Sequence, residues 1–215
     1  SLPTTETTVN LREGTYTLSN TFHLDEQDSG TEQAPIVYCS FQNETARITS
    51  DNTHSEPLIQ VQNAHHISFE NLIVEHTKGD GILIKDGSYI QIAGCTMCDI
   101  NNTAIRIIGG NNHRVQSCDI HNIGGCAIGV SGGNRKTLTR CEHTIENNHI
   151  HHNAQQTQQP CITISGVGIR TTNNHIHHNP HTAVHLSGNE HLVLYNHIHN
   201  VCLETEDMGA VYMQR

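Results

Sequence analysis

Three groups of residues in this chain have the types and spacing to do chemistry. The first is an acidic run, Glu204-Thr205-Glu206-Asp207, leading into Met208-Gly209-Ala210-Val211-Tyr212. Carboxyl groups this close can divide acid and base duties, one giving up a proton while the other attacks or activates water. The second is a His-x-His pair that recurs as His149/His151, His175/His177 and His197/His199, each preceded by Asn and enclosing Ile. Neutral imidazoles ligate transition metals, so His175, His177, His197 and His199 are candidate ligands. The third is Cys95-x-x-Cys98, half of a zinc or redox motif with no second CxxC to complete it.

What positions these residues is a repeat of about 23 residues. Segment 65–87 shifts onto 88–110 and again onto 111–133 without insertion. Ile82, Ile105 and Ile128 then share a column, as do Ile84, Ile107 and Val130. A further apolar column runs Val74, Met97, Ile120, Ile150, Ile176 and Ile198, and two residues earlier sit Leu72, Cys95, Cys118, Asn148, Asn174 and Asn196. The later apolar pair continues as Ile162/Ile164, Val184/Leu186 and Val211/Met213, with Gly81, Ala104, Ala127, Cys161, Ala183 and Ala210 just before it. Extra length falls only in 153–160 and 200–209.

Each unit carries three short alternating segments, which predict three strands per coil with one buried face. Like residues stacking coil on coil predict an all-β, right-handed parallel β-helix, a solenoid of three short strands per coil. An antiparallel sandwich would need hairpin turns without the long echo. The chain reads as a single domain, 1–215, with irregular first coils over 1–60 and regular ones over 65–215. It shows no capping helix at its start and stops directly after a strand, which suggests a piece of a longer β-helix or one whose ends pair with something else.

Phasing the strands assigns the faces. Inward Asn148, Asn174 and Asn196 can satisfy their amides along the stack. Outward on the second strand are Ile73, Thr96, Asp119, His149, His175 and His197, beside Glu75, Cys98, His121, His151, His177 and His199. With imidazoles about 4.8 Å apart between coils, the expectation is a stacked, partly hydrated ladder rather than a metal centre, since no carboxylate is seen nearby to complete one. Cys95 faces inward and Cys98 outward, which weakens the zinc reading. The third strand turns Leu83, Arg106, Gly129, Thr163, His185 and Tyr212 outward. Loops carrying Asp80, His181 and the acidic run flank it, so Arg106, Thr163, His181, His185 and Tyr212 are candidate contacts for an extended ligand. Stacked imidazoles should also resist protonation, because like charges would pile up along the coil.

Composition excludes other classes. Asp+Glu at 21 against Lys+Arg at 11 gives a net charge of −10, a poor match for nucleic acid or an anionic membrane. No apolar run approaches the roughly 18 residues of a spanning helix. Ser1-Leu2-Pro3-Thr4-Thr5 is not a signal peptide.

The strings Gly132-Gly133-Asn134-Arg135, Gly166-Val167-Gly168, Asn174-His175-Ile176-His177 and Glu204 to Tyr212 resemble right-handed β-helix carbohydrate-active enzymes, nearest to glycoside hydrolase family 141. Glu13-Gly14-Thr15-Tyr16 and Asp28-Ser29-Gly30-Thr31 also look like first coils of such proteins. Members of that family are longer, with an insertion where this chain has only Asp51-Asn52-Thr53-His54. The resemblance implies a glycoside hydrolase acting on a poly- or oligosaccharide through paired acids, without a cofactor, in a secreted, periplasmic or cell-surface setting. Asp207 matches the motif, and chemistry offers Glu204 or Glu206 as its partner. A non-catalytic binding or scaffold β-helix is the alternative; a polysaccharide lyase comes next, disfavoured because Lys78, Lys85 and Lys136 are the only lysines and Arg106 the one basic residue on the groove floor.

Overall fold

A computed structural model describes residues 5–42, 44–52, 55–155 and 157–214. Ser1 to Thr4, Thr53, His54 and Arg215, which entered the reading of the chain ends and of the 51–54 loop, lie outside the described residues.

Twenty-four strands form three eight-stranded sheets, and each coil contributes one strand to each sheet. In the first regular coil these are His65–Glu70, Ile73–Thr77 and Ile82–Lys85. Neighbouring strands run parallel, and the register repeats the sequence shift: Ile105 pairs with Ile82 on one side and Ile128 on the other. The column continues through Ile162 and Val184 to Val211. A parallel β-helix is therefore the architecture. The first coils are more regular than expected, because Thr7–Leu11, Gly14–Leu18 and Phe22–Leu24 already supply a strand to each sheet. Their irregularity is confined to connections, such as the capped 3-10 turn Glu26–Asp28.

The inner columns form one continuous core. Ile82, Ile105, Ile128, Ile150 and Ile176 are fully buried, and each such side chain contributes about 1.5–3 kcal/mol relative to exposure. Val211 and Met213 pair in register but are exposed.

Corners explain the Asn- and His-rich composition. At or just past the ends of the second-sheet strands, His76, Asp99, Asn122, His152, His178 and Asn200 occupy equivalent places with φ between 50° and 55°. Short polar side chains tolerate that left-handed conformation better than branched ones. The inward Asn ladder closes as expected. Asn148 Nδ2 donates to Asn174 Oδ1 at 2.9 Å, and Asn174 Nδ2 to Asn196 Oδ1 at 2.9 Å. Each Oδ1 also accepts a backbone N–H from the preceding coil, as from Cys118 to Asn148 at 2.9 Å.

Candidate functional site

The outward face of the third sheet carries a trough of about 470 Å³. Arg106 and Thr163 line it, together with Thr103, Gly129, Ser165 and Gln159. Thr163 directly neighbours Gly129 in the strand register. A side chain at Gly129 would meet only the Thr103 methyl at 4.0 Å, so the missing side chain leaves open space over the floor. Gln159 comes from the inserted 153–160 segment and walls one side, a contribution that strand phasing alone could not reveal.

Arg106 is less available than expected. Its Nε donates to Asp80 Oδ2 at 2.6 Å and its Nη2 to Asp80 Oδ1 at 3.2 Å and Thr103 Oγ1 at 2.8 Å. The nearly buried Asp80 carboxylate, with side-chain exposure of 8%, claims most of this guanidinium. That offsets the charge and holds the side chain, because a bidentate fork fixes both direction and partner.

His185 and Tyr212 extend the same outward column, their rings 5.7 Å apart. They lie outside the residues that line the trough. His181 sits at the loop before that strand; its backbone carbonyl accepts from Cys202 N–H at 3.0 Å, and its buried Nδ1 has no protein partner. Burial, with His185 second, lowers its proton affinity.

The acidic run is anchored by its backbone. Glu204 N–H and Thr205 Oγ1 both donate to Pro180 O, at 3.0 and 3.3 Å. The side chains of Glu204, Glu206 and Asp207 are exposed. Among the described residues no hydrogen bond or ion pair joins their carboxylates to Arg106, His181, His185 or Tyr212. Glu190, on the far side of the strand, pairs with Arg140 at 3.3 Å.

The second sheet presents the imidazole face in the phase expected, with Asp119, His149, His175 and His197 in one column and His121, His151, His177 and His199 in the next. Stacked rings along the columns lie 4.9–5.2 Å apart, as in His175–His197 and His151–His177. One expectation fails. A carboxylate is present, because Asp119 lies 3.0 Å from His149 Nδ1 and 3.2 Å from His151 Nε2. It heads the very column that the histidines continue, one coil earlier. Burial, then the neighbouring imidazoles, pushes His177 down to about 4, and His175 and His151 shift the same way for the same leading reason. Burial is the largest single cause, ahead of any one neighbouring ring, and the repulsion anticipated between rings acts in the same direction.

All eight cysteines are free. Cys95 is buried with its thiol toward Phe69 O at 3.5 Å, while Cys98 points to Glu75 Oε2 at 3.6 Å. Burial raises both thiols to about 12, so neither is poised as a thiolate.

Comparison with known proteins now places the fold. The family model described as "right handed beta helix region" matches residues 28–203. The chain belongs to the right-handed β-helix family. A search of curated proteins finds no match to it. Among solved structures, this β-helix is similar to the A-module of a mannuronan C-5 epimerase from Azotobacter vinelandii, with TM-score 0.61 and 14% identity over 90% of this chain and 62% of that one. It is also similar to a pectate lyase, with TM-score 0.57 and 14% identity over 95% of this chain and 70% of that one. An alginate lyase from a Paenibacillus strain gives TM-score 0.51 and 13% identity over 95% and 92%. At these identities the likeness is one of fold, and the chain spans 62% of the epimerase module's length. No helix of the described residues is long and apolar enough to cross a membrane.

Proposed function

We propose that this β-helix is a carbohydrate-active protein that takes a poly- or oligosaccharide across the outward face of its third sheet and hydrolyses it. The trough over Gly129 carries the reading. It is open, draws its lining from three successive coils and presents hydroxyl, amide and guanidinium groups, a surface suited to a polyol. Beyond it, Tyr212 against His185 offers a stacking face, and His181 and His185 can hydrogen-bond a carboxyl or a sugar hydroxyl.

Hydrolysis needs one carboxyl to protonate the departing oxygen and a second to attack carbon or activate water, roughly 5–9.5 Å apart. Asp207 with Glu204 or Glu206 is the candidate pair, because all three share one exposed loop and none is bound to a neighbouring base. Membership in glycoside hydrolase family 141 is the narrower form of this reading. A substrate of that kind puts the protein at work outside the cytoplasm.

A second reading is elimination or epimerisation on a uronate polymer. It is favoured by the fold likeness to proteins described as a mannuronan epimerase, a pectate lyase and an alginate lyase.

Incubation with a panel of defined neutral and uronate polysaccharides separates these. Hydrolysis releases reducing ends without ultraviolet absorbance, and Asp207→Asn should cut the rate by roughly 100-fold or more. Because Asp207 is exposed, the same change should leave stability within about 0.5 kcal/mol. Full activity in the variant overturns the role of Asp207. An absorbing, unsaturated product establishes the second reading, and retention of a glycan without turnover would make the chain a binding module.

A further inference from the structure

We propose that the imidazole face of the second sheet is a binding site for late first-row divalent metal ions of the Zn²⁺ type, with Asp119, His149 and His151 as one ligand set and His175, His197 and His199 as another. This face is separate from the third-sheet trough and does not depend on the function proposed for it.

Geometry is the first support. Within each set the ligand atoms lie within 4.8 Å of one another. A tetrahedral ion with metal–nitrogen distances near 2.0–2.1 Å spaces its ligand atoms at about 3.3 Å, so small side-chain rotations close the site. Each set also spans two successive coils: Asp119 pairs in register with His149, and His175 and His177 with His197 and His199. An ion in either set would therefore staple one coil to the next.

A stacked ladder does not by itself account for how the rings lean. Strand spacing imposes stacking within each column, and His175–His197 obey it with an interplanar angle of 6°. Between columns the rings tilt toward each other on the diagonal. His175 Nε2 approaches His199 Nε2, its partner in the second set, to 3.0 Å with an interplanar angle of 38°. Two facing ring nitrogens hold at most one shared proton between neutral imidazoles. A cation can take both lone pairs at once.

Two Nδ1 atoms of the ligand rings have neighbours of their own. His199 Nδ1 lies 3.0 Å from Asn200 Oδ1, an acceptor, and the tautomer that donates to it turns a lone pair on Nε2 toward His175. His151 Nδ1 faces His152 Nδ1 at 2.8 Å. Such contacts orient a ligating imidazole and fix its tautomer. Mixed nitrogen and carboxylate ligands suit zinc and its neighbours, and a net charge of −10 draws cations to the chain.

The two sets have no residue in common. A third grouping, His149, His175 and His177, borrows one residue from each and is excluded when both are filled. Saturation at two ions per chain follows from this count.

The test is a Zn²⁺ titration of the full chain, stripped with chelator beforehand, in competition with a chromophoric indicator. Circular dichroism and melting are recorded on every variant. The wild type should saturate at two ions per chain and melt higher with Zn²⁺. His149→Gln and His175→Gln should each remove one ion, and the double variant, which breaks all three groupings, should weaken binding by at least about tenfold while keeping its spectrum. His23→Gln, on the third sheet, should change nothing. Absence of saturable binding overturns the site, and so does binding that survives the double variant. Saturation at a single ion overturns the assignment to two sets.

Discussion

Along the outward face of the second sheet, one coil after another offers the same side chain, so that His149, His175 and His197 pile up behind Asp119. Along the third sheet the same stacking rule delivers Arg106, Gly129, Thr163, His185 and Tyr212, no two alike. Where like stacks on like, every ring carries the same donors and acceptors, and some of their nitrogens turn to one another across the diagonal. Where unlike residues stack, each finds its own partner, as Arg106 does in Asp80, and the glycine leaves a gap. Repetition thus makes a surface suited to a point charge held by several identical groups. Variation makes one suited to a long ligand that meets different groups along its length.

The most severe way to break this contrast is to damage the stack that both faces share. Ile128→Ala removes a fully buried side chain beside Gly129 and should lower the free energy of unfolding by about 2–5 kcal/mol. Chemical denaturation measures it, and a loss below about 1 kcal/mol would mean that the coils do not depend on their inner columns.

A narrower cut falls at the corner between the first and second sheets. Asn174→Ala deprives the buried N–H and Nδ2 of Asn148 of their acceptor and leaves Ile145 O without its donor. The expected loss is about 2 kcal/mol or more, because unpaired buried polar groups keep their full desolvation cost. A melting temperature equal to wild type would show that the ladder is dispensable.

Acid sharpens the contrast further. His113 and His143 stack inside the coils 4.9 Å apart, and burial lowers them to about 3 and about 4. His177 on the outer face shifts to about 4. A histidine whose folded value is depressed binds fewer protons folded than unfolded, so its stabilising share is complete above the unfolded value near 6.5 and is lost as pH falls toward the folded value. Melting in the presence of chelator should drop by several degrees between pH 7 and pH 4, with little change from pH 7 to pH 8. A flat profile from pH 7 to pH 4 would contradict the neutral, buried state of these rings.

Legibility followed repetition. The columns at Ile82, Ile105 and Ile128, the inward Asn ladder and the two outward faces could be read from the chain, because in a solenoid a shift along the sequence is a shift along the axis. The pairing of Arg106 with Asp80 was not readable, although both residues had been placed beside the same strand. Whether a fork meets its carboxylate depends on side-chain torsions. The place of Asp119 on the imidazole face follows from the column it shares with His149, whereas its reach to both His149 and His151 depends on side-chain torsions. Gln159 and the acidic residues 204–207 belong to insertions, where no repeat constrains the backbone.

What the amino-acid order determined alone is the phase: which residues are covered, which are wet and which lie above one another, because identical strands stack only in the register that buries their apolar columns. The tertiary structure alone decided which wet residues turn toward each other. His149 leaning to His177, Arg106 folded onto Asp80 and the acidic loop tied back to Pro180 all arise from torsions and loop paths that a one-dimensional repeat leaves undetermined.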